Sequence, residues 1–185
     1  LLMAAEGGHV KAMHDIGVVY FNGIGVPKDV AQANKWYLRA ANLGSHLSSY
    51  CLGLNEENGE NSQGRASFPM AIVWYLIAQA QSEGNFNDSQ SRVQRLKQNL
   101  LDSEIDKLIF YMTAFADDSQ FPWAQLALGE MYLTGEFVAA NNETARKYFS
   151  LASASGLVAA EKRLLSPELV GDDFFDRAVT LREMG

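Results

Sequence analysis

The sequence predicts an all-α solenoid of paired helices, and three observations predict it. Segments about three dozen residues apart repeat one pattern of small, aliphatic, glycine and aromatic residues. Within each segment the apolar residues recur at steps of three and four, the spacing of one helical face. Glycines stand at matching places inside and at the ends of these segments.

The first unit is the clearest. Ala12, Ile16, Tyr20 and Gly23 share one helical face, with Gly17 beside them. Gly inside a helix costs about 1 kcal/mol relative to Ala. Its return at Gly53 and Gly129 therefore calls for a packing reason: a partner helix that approaches where a Cβ would stand. Gly23 and Gly25 end this helix, because glycine enters the left-handed region most easily. Pro27 blocks continuation from before it, and Asp29, with Gln32 three residues on, opens the second helix as an N-cap. That helix has Ala33, Ala40 and Ala41 to leave room and Trp36 and Tyr37 to fill it, and Gly44 closes it.

The later units follow the first. Ser48, Leu52, Gly53 and Gly59 lie 36 residues after Ala12, Ile16, Gly17 and Gly23. Trp74 lies 38 after Trp36, and a polar insertion over about residues 60–67 accounts for the longer spacing. Gly129 lies 112 after Gly17, about three units, and Lys147-Tyr148-Phe149 repeats Lys35-Trp36-Tyr37. Between them sits a degenerate unit with helices expected near 88–100 and 103–116, where Tyr111 keeps the spacing to Tyr75 and Tyr148. The expected units run roughly 8–44, 45–82, 85–118 and 120–156. A cap follows over 157–185, opened by Ser166-Pro167 and closed by a helix bearing Phe174, Phe175, Ala178, Val179 and Leu181. The whole is read as one repeat domain. The chain begins within what reads as the tail of a helix, Leu1 to Ala5, and is expected to be a fragment of a longer protein.

Composition excludes several functions. The chain has 185 residues, a net charge of −7 and a hydrophobic fraction of 48%. That fraction suits a folded domain. Its densest basic stretch, Arg92 to Lys97, holds three cations in six residues, too few for a phosphate backbone. No apolar run approaches the roughly 18 residues that span a bilayer. The single cysteine, Cys51, precludes an intrachain disulfide, and the His and Cys residues do not cluster as a metal site would require.

The run from Ala12 to Gly44 resembles the Sel1-like repeat, a relative of the tetratricopeptide repeat with a longer inter-helix turn. It shows small-x-x-x-aliphatic-Gly-x-x-Tyr-x-x-Gly-x-Gly-Val, then Asp, Ala, Trp-Tyr, Ala-Ala and Gly at the family spacing. The last unit departs at the turn, where Gly135-Glu136-Phe137-Val138 lacks the second glycine. The resemblance implies a right-handed α/α superhelix of about four repeats, and a protein-interaction scaffold without catalysis or cofactor. The partner would be a protein or peptide. It also implies a bacterial, envelope-associated or host-interaction setting, periplasmic or exported before cytoplasmic. A glycan or cell-wall binding module is the alternative, and a hydrolase comes third.

By analogy with tetratricopeptide arrays, partner-binding residues lie on the concave face of the first helices. In the first unit these are His14, Val18, Phe21 and Asn22. In the second they are Tyr50, Leu54, Glu57 and Asn58. In the fourth they are Trp123, Leu126, Glu130 and Leu133, with Thr134 beside them. His14 has no repeat counterpart and is expected to face a ligand. His9 and His46 match one another and read as structural. Cys51 lacks a visible base and reads as inert. Glu56, Glu57 and Glu60, and Asp172-Asp173, read as solvated acids rather than an acid–base pair. Asn87-Asp88-Ser89 and Asn142-Glu143-Thr144 fit the glycosylation triplet, but Asn141 or Asn142 serves more simply as a helix cap.

Overall fold

The helical periodicity of the sequence is realised in every apolar segment. The computed structural model describes residues 1–170, and among these the regular structure is helical, with no strand. In order the helices are α1 (Leu2–Glu6), α2 (Val10–Asn22), α3 (Val30–Asn42), α4 (His46–Asn58), α5 (Phe68–Gln81), α6 (Asn87–Lys97) and α7 (Asp102–Thr113). A turn of π-helix, Ala114–Asp118, precedes α8 (Pro122–Thr134), α9 (Asn142–Ala154), α10 (Val158–Leu164) and α11 (Pro167–Val170). The expected terminal helix around Phe174 to Leu181, and Asp172-Asp173, lie outside the described residues. The chain divides into two compact units, Leu1–Ala114 and Phe115–Gly185.

In the first unit α2 pairs with α3 and α4 with α5. The recurring glycine explains both pairings. A Cβ built on Gly17 would lie 2.4 Å from Cε1 of Tyr37, and one on Gly53 would lie 2.5 Å from Cε1 of Tyr75. The Cδ1–Cε1 edge of each ring therefore lies against the backbone of the paired helix, closer than any other residue would permit. Gly23 and Gly59 then end the first helices in the left-handed region, with φ of 70° and 76°. Asp29 accepts from the Gln32 backbone N–H at 2.9 Å to open α3, as predicted. In the polar insertion after α4, Asn61 donates to the Arg65 carbonyl, and Ser67 N–H returns to the Glu56 carbonyl. α5 is buried almost all round, since α4, α6 and α7 all pack on it.

The degenerate pair departs from this plan. α6 and α7 each lie against α5 and make little contact with one another. α6 has no glycine and buries Val93 and Ser89 instead, so no slot exists for a ring. The residue midway between Tyr75 and Phe149 is Met112, which is fully buried. Tyr111 packs edge-on against Phe110 with ring centroids 5.8 Å apart.

In the second unit α8 pairs with α9 in the same way: a Cβ on Gly129 would lie 2.5 Å from Cε1 of Phe149. The turn that lacks its second glycine keeps the conformation. Phe137 takes φ of 63° where Gly25 takes 73°, a strained choice for a bulky residue. α10 is a shortened first helix. It packs on α9 as α4 packs on α3. Ala160 is fully buried like Ser48, its counterpart 112 residues earlier. At the place of Gly53 stands Leu165, 76% exposed, and Ser166-Pro167 ends the helix there.

Candidate functional site

α2 and α4 meet where His14 Nδ1 lies 3.0 Å from Ser48 Oγ. Val18 and Leu54, Phe21 and Glu57, and Asn22 and Asn58 hold equivalent repeat positions on the two helices. Val18, Phe21 and Leu54 are half-buried, and Asn22 and Asn58 are exposed. Asn22 Nδ2 donates to the Val18 carbonyl at 3.0 Å, and Lys28 Nζ sits 4.8 Å from the Phe21 ring centroid.

Two predicted residues of the second repeat are already engaged. Tyr50 packs on Tyr75 at 5.5 Å and on Phe86 at 5.0 Å, and its hydroxyl accepts from Arg92 Nε at 2.9 Å. Glu57 accepts from the Tyr75 hydroxyl at 2.7 Å, from Arg92 Nη1 at 2.9 Å and from Arg95. Burial and the adjacent Glu57 hold the Tyr75 phenol well above its usual range. The arginines of α6 thus bind their own chain. They are the contributors that sequence reasoning missed. Their clustering was visible, but it was weighed only against nucleic acid.

His14 is not free to face a ligand as expected, because Ser48 holds it on one side and Tyr37 lies at 5.6 Å between ring centroids on another. The three clustered acids are not simply solvated. Glu56 is half-buried, with its pKa raised by burial, and accepts from Asn61 at 2.6 Å. Glu60 pairs with Lys28 at 3.2 Å. Each acid points to a different partner, so they do not converge on a reacting atom. The Cys51 thiol is pushed up by burial and contacts Tyr37, the opposite of what a nucleophilic thiolate needs.

In the second unit Trp123 and Leu133 are half-buried and Thr134 is exposed, its hydroxyl donating to the Glu130 carbonyl. Glu130 is bridged to Arg163 of α10, and burial raises its pKa against the pull of that arginine. Leu126 corrects the sequence reading. At 3% exposed it faces the core of α8, which is buried along most of its length, so the position three before the glycine presents no surface there. Asn141 is the N-cap of α9, accepting from Thr144 N–H at 2.9 Å. Asn142 donates to the Glu168 carbonyl at 3.2 Å, and Ser89 is buried against the Tyr75 carbonyl, so both triplets are in structural use.

The Sel1 repeat family matches residues 10–45 and 124–157, two of the three hairpins in which an aromatic ring fills the glycine slot and the first helix ends on a left-handed glycine. These two stretches are Sel1 repeats. Sel1 repeats are helical hairpins that generally serve in protein-interaction scaffolds. Among solved structures, a protective antigen of uropathogenic Escherichia coli with an SLR fold is 26% identical over 88% of this chain, with a TM-score of 0.47. A Sel1 repeat protein from Oxalobacter formigenes is 30% identical over 85% of the chain, with a TM-score of 0.42. The chain spans 34% and 45% of the lengths of those two proteins. No curated protein matches it. No described helix is long and apolar enough to cross a membrane, and no three metal-ligating side chains gather among the described residues.

Proposed function

We propose that this Sel1-repeat chain is a non-enzymatic interaction module, and that the first-helix face of α2 and α4 takes up a peptide segment of a partner protein. One observation supports this above the rest. Val18 and Leu54 occupy the same repeat position on neighbouring helices, keep part of their surface open, and are followed one turn later by the exposed amides of Asn22 and Asn58. Apolar anchors beside amides suit a peptide, whose side chains need pockets and whose backbone needs donors and acceptors. Phe21 adds an aromatic anchor of the kind that dominates interface energetics. The setting carried over from the family resemblance is an envelope-associated or host-interaction complex of a bacterium.

The glycan reading loses ground at Tyr50. A sugar needs an open aromatic face, and this ring is engaged by Tyr75, Phe86 and Arg92.

A phage-displayed peptide library panned on the immobilised chain tests the proposal. Enriched peptides should carry spaced apolar residues. They should bind the Val18→Ala/Phe21→Ala/Leu54→Ala variant at least tenfold more weakly, since each lost anchor costs about 1 kcal/mol or more. The helical spectrum of the variant should be unchanged. Peptides that bind the variant equally well would refute the site. Capture of purified cell-wall polymer, with no peptide enriched, would favour the glycan module.

A further inference from the structure

The joint between the first two repeats contains an imidazole that no partner-binding argument needs. Ser45 caps α4, its Oγ accepting from Ser48 N–H at 3.3 Å. The Ser45 hydroxyl proton is then directed to Ser48 Oγ at 2.9 Å. His14 Nδ1 lies 3.0 Å from Ser48 Oγ, where it can take the Ser48 hydroxyl proton. A run of donors that starts at the cap, Ser45 to Ser48 to His14, ends on an acceptor at Nδ1. A neutral imidazole with its proton on Nε2 is the only form of histidine that accepts at Nδ1.

We propose that His14 is a pH-sensitive joint between the first and second repeats, closed when the imidazole is neutral and loosened when it is protonated. A protonated ring donates from Nδ1. Ser48 Oγ would then receive two protons, and its own hydroxyl would lose its acceptor at a fully buried site. A buried polar group without a partner is costly. The ionisable groups around the ring are Asp15 on α2, Tyr37 on α3, and His46 and Cys51 on α4, while Glu6 on α1 is exposed. Burial lowers the pKa of His14, Asp15 opposes that fall, and His46 adds to it. The folded chain therefore takes up this proton less readily than the unfolded chain. The stabilisation is complete above the ordinary histidine range, near pH 6.5. It is lost as pH falls through that range toward the lower folded value. The ring also touches Tyr37, which fills the Gly17 slot. Loosening at His14 thus reaches both the α2–α3 pairing and the α2–α4 contact. The inference does not depend on peptide binding.

Imidazole nitrogen spectra combined with amide hydrogen exchange test it on the whole chain. Near pH 7.5 the His14 signals should report the Nε2–H tautomer. Between about pH 7.5 and pH 5, the protection factors of the Ser48 and Ser49 amides should fall about tenfold in the wild type. They should stay level in His14→Gln, whose side-chain oxygen accepts without titrating. Ser48→Ala, which keeps the imidazole but removes its donor, should also abolish the difference. An Nδ1–H tautomer at neutral pH would overturn the proposal. So would an undiminished loss of protection in either variant, or its transfer to His46→Gln.

Discussion

Replacing Gly53 with alanine isolates the feature that defines these repeats. In an ordinary helix interior the exchange stabilises by about 1 kcal/mol. Here the new methyl would lie 2.5 Å from Cε1, 2.6 Å from Cδ1 and 3.1 Å from Cζ of Tyr75. The ring has little freedom to withdraw, because it is fully buried and its hydroxyl is held by Glu57 at 2.7 Å. Overpacking of this kind costs about 1–3 kcal/mol and shifts backbone as well as side chains. At the upper end of that range the clash outweighs the propensity gain, leaving a net loss of about 1–2 kcal/mol. Trp36 and Trp74 report on the first unit in a Trp123→Phe background, so urea unfolding followed by fluorescence reads the loss there. A double-mutant cycle with Tyr75→Ala sharpens the test. Without the ring the introduced methyl enters empty space, so the two changes should be non-additive by about 1 kcal/mol or more. A stabilised Gly53→Ala variant, or additivity within about 0.5 kcal/mol, would refute the close-approach argument for Gly17 and Gly129 as well.

Two further outcomes probe polar contacts between elements. Asn55 is buried and donates to Asn34 Oδ1 at 2.6 Å, while Asn34 donates to the Glu60 carbonyl at 3.2 Å. Asn34→Ala should cost about 1–3 kcal/mol in urea unfolding of the first unit, because it strands the Asn55 amide. The paired Asn34→Ala/Asn55→Leu variant should recover part of that loss. In the second unit the Tyr148 phenol is pushed up to about 12 by burial and by its bond to Asp117. A raised folded value means stability that is whole below the ordinary tyrosine range and lost as pH climbs from about 10 toward 12. Thermal melts followed at Trp123 should show this decline in the wild type, and a shallower one in Tyr148→Phe.

The hairpins were legible because their determinants repeat. Gly17, Gly53 and Gly129 are the same solution to one packing problem, and Asp29 and Asn141 are both N-caps, each acting at a single position that the sequence displays directly. Legibility failed where the solution changed. In the third pair Val93 and Met112 are the buried residues, and no glycine–ring slot is formed. Tyr111 stands 37 residues from both Trp74 and Tyr148, one position before the slot-filling ring, so it marks the repeat without marking its core. It failed differently at Leu126, where a rule that marks half-exposed His14 and Tyr50 meets a fully packed α8. Exposure at that position depends on what the neighbouring elements cover, which a single repeat does not encode.

The candidate face was hard to read for a related reason. Contacts within a hairpin are periodic, but those that join one repeat to the next are individual. His14 meets Ser48, Gln81 donates to the Ala41 carbonyl at 2.8 Å, and Arg92 and Arg95 reach back to Glu57. None of these polar pairs recurs at the repeat spacing. The first and the last of them engage His14 and Glu57, which a positional analogy would assign to a ligand. What remains open on α2 and α4 is the subset left after the repeats have bound each other: Val18, Phe21, Leu54, Asn22 and Asn58. Under the proposed function a partner would be selected by the residues that the inter-repeat contacts leave over, and Sel1 repeats with the same hairpins but different joints would present different faces.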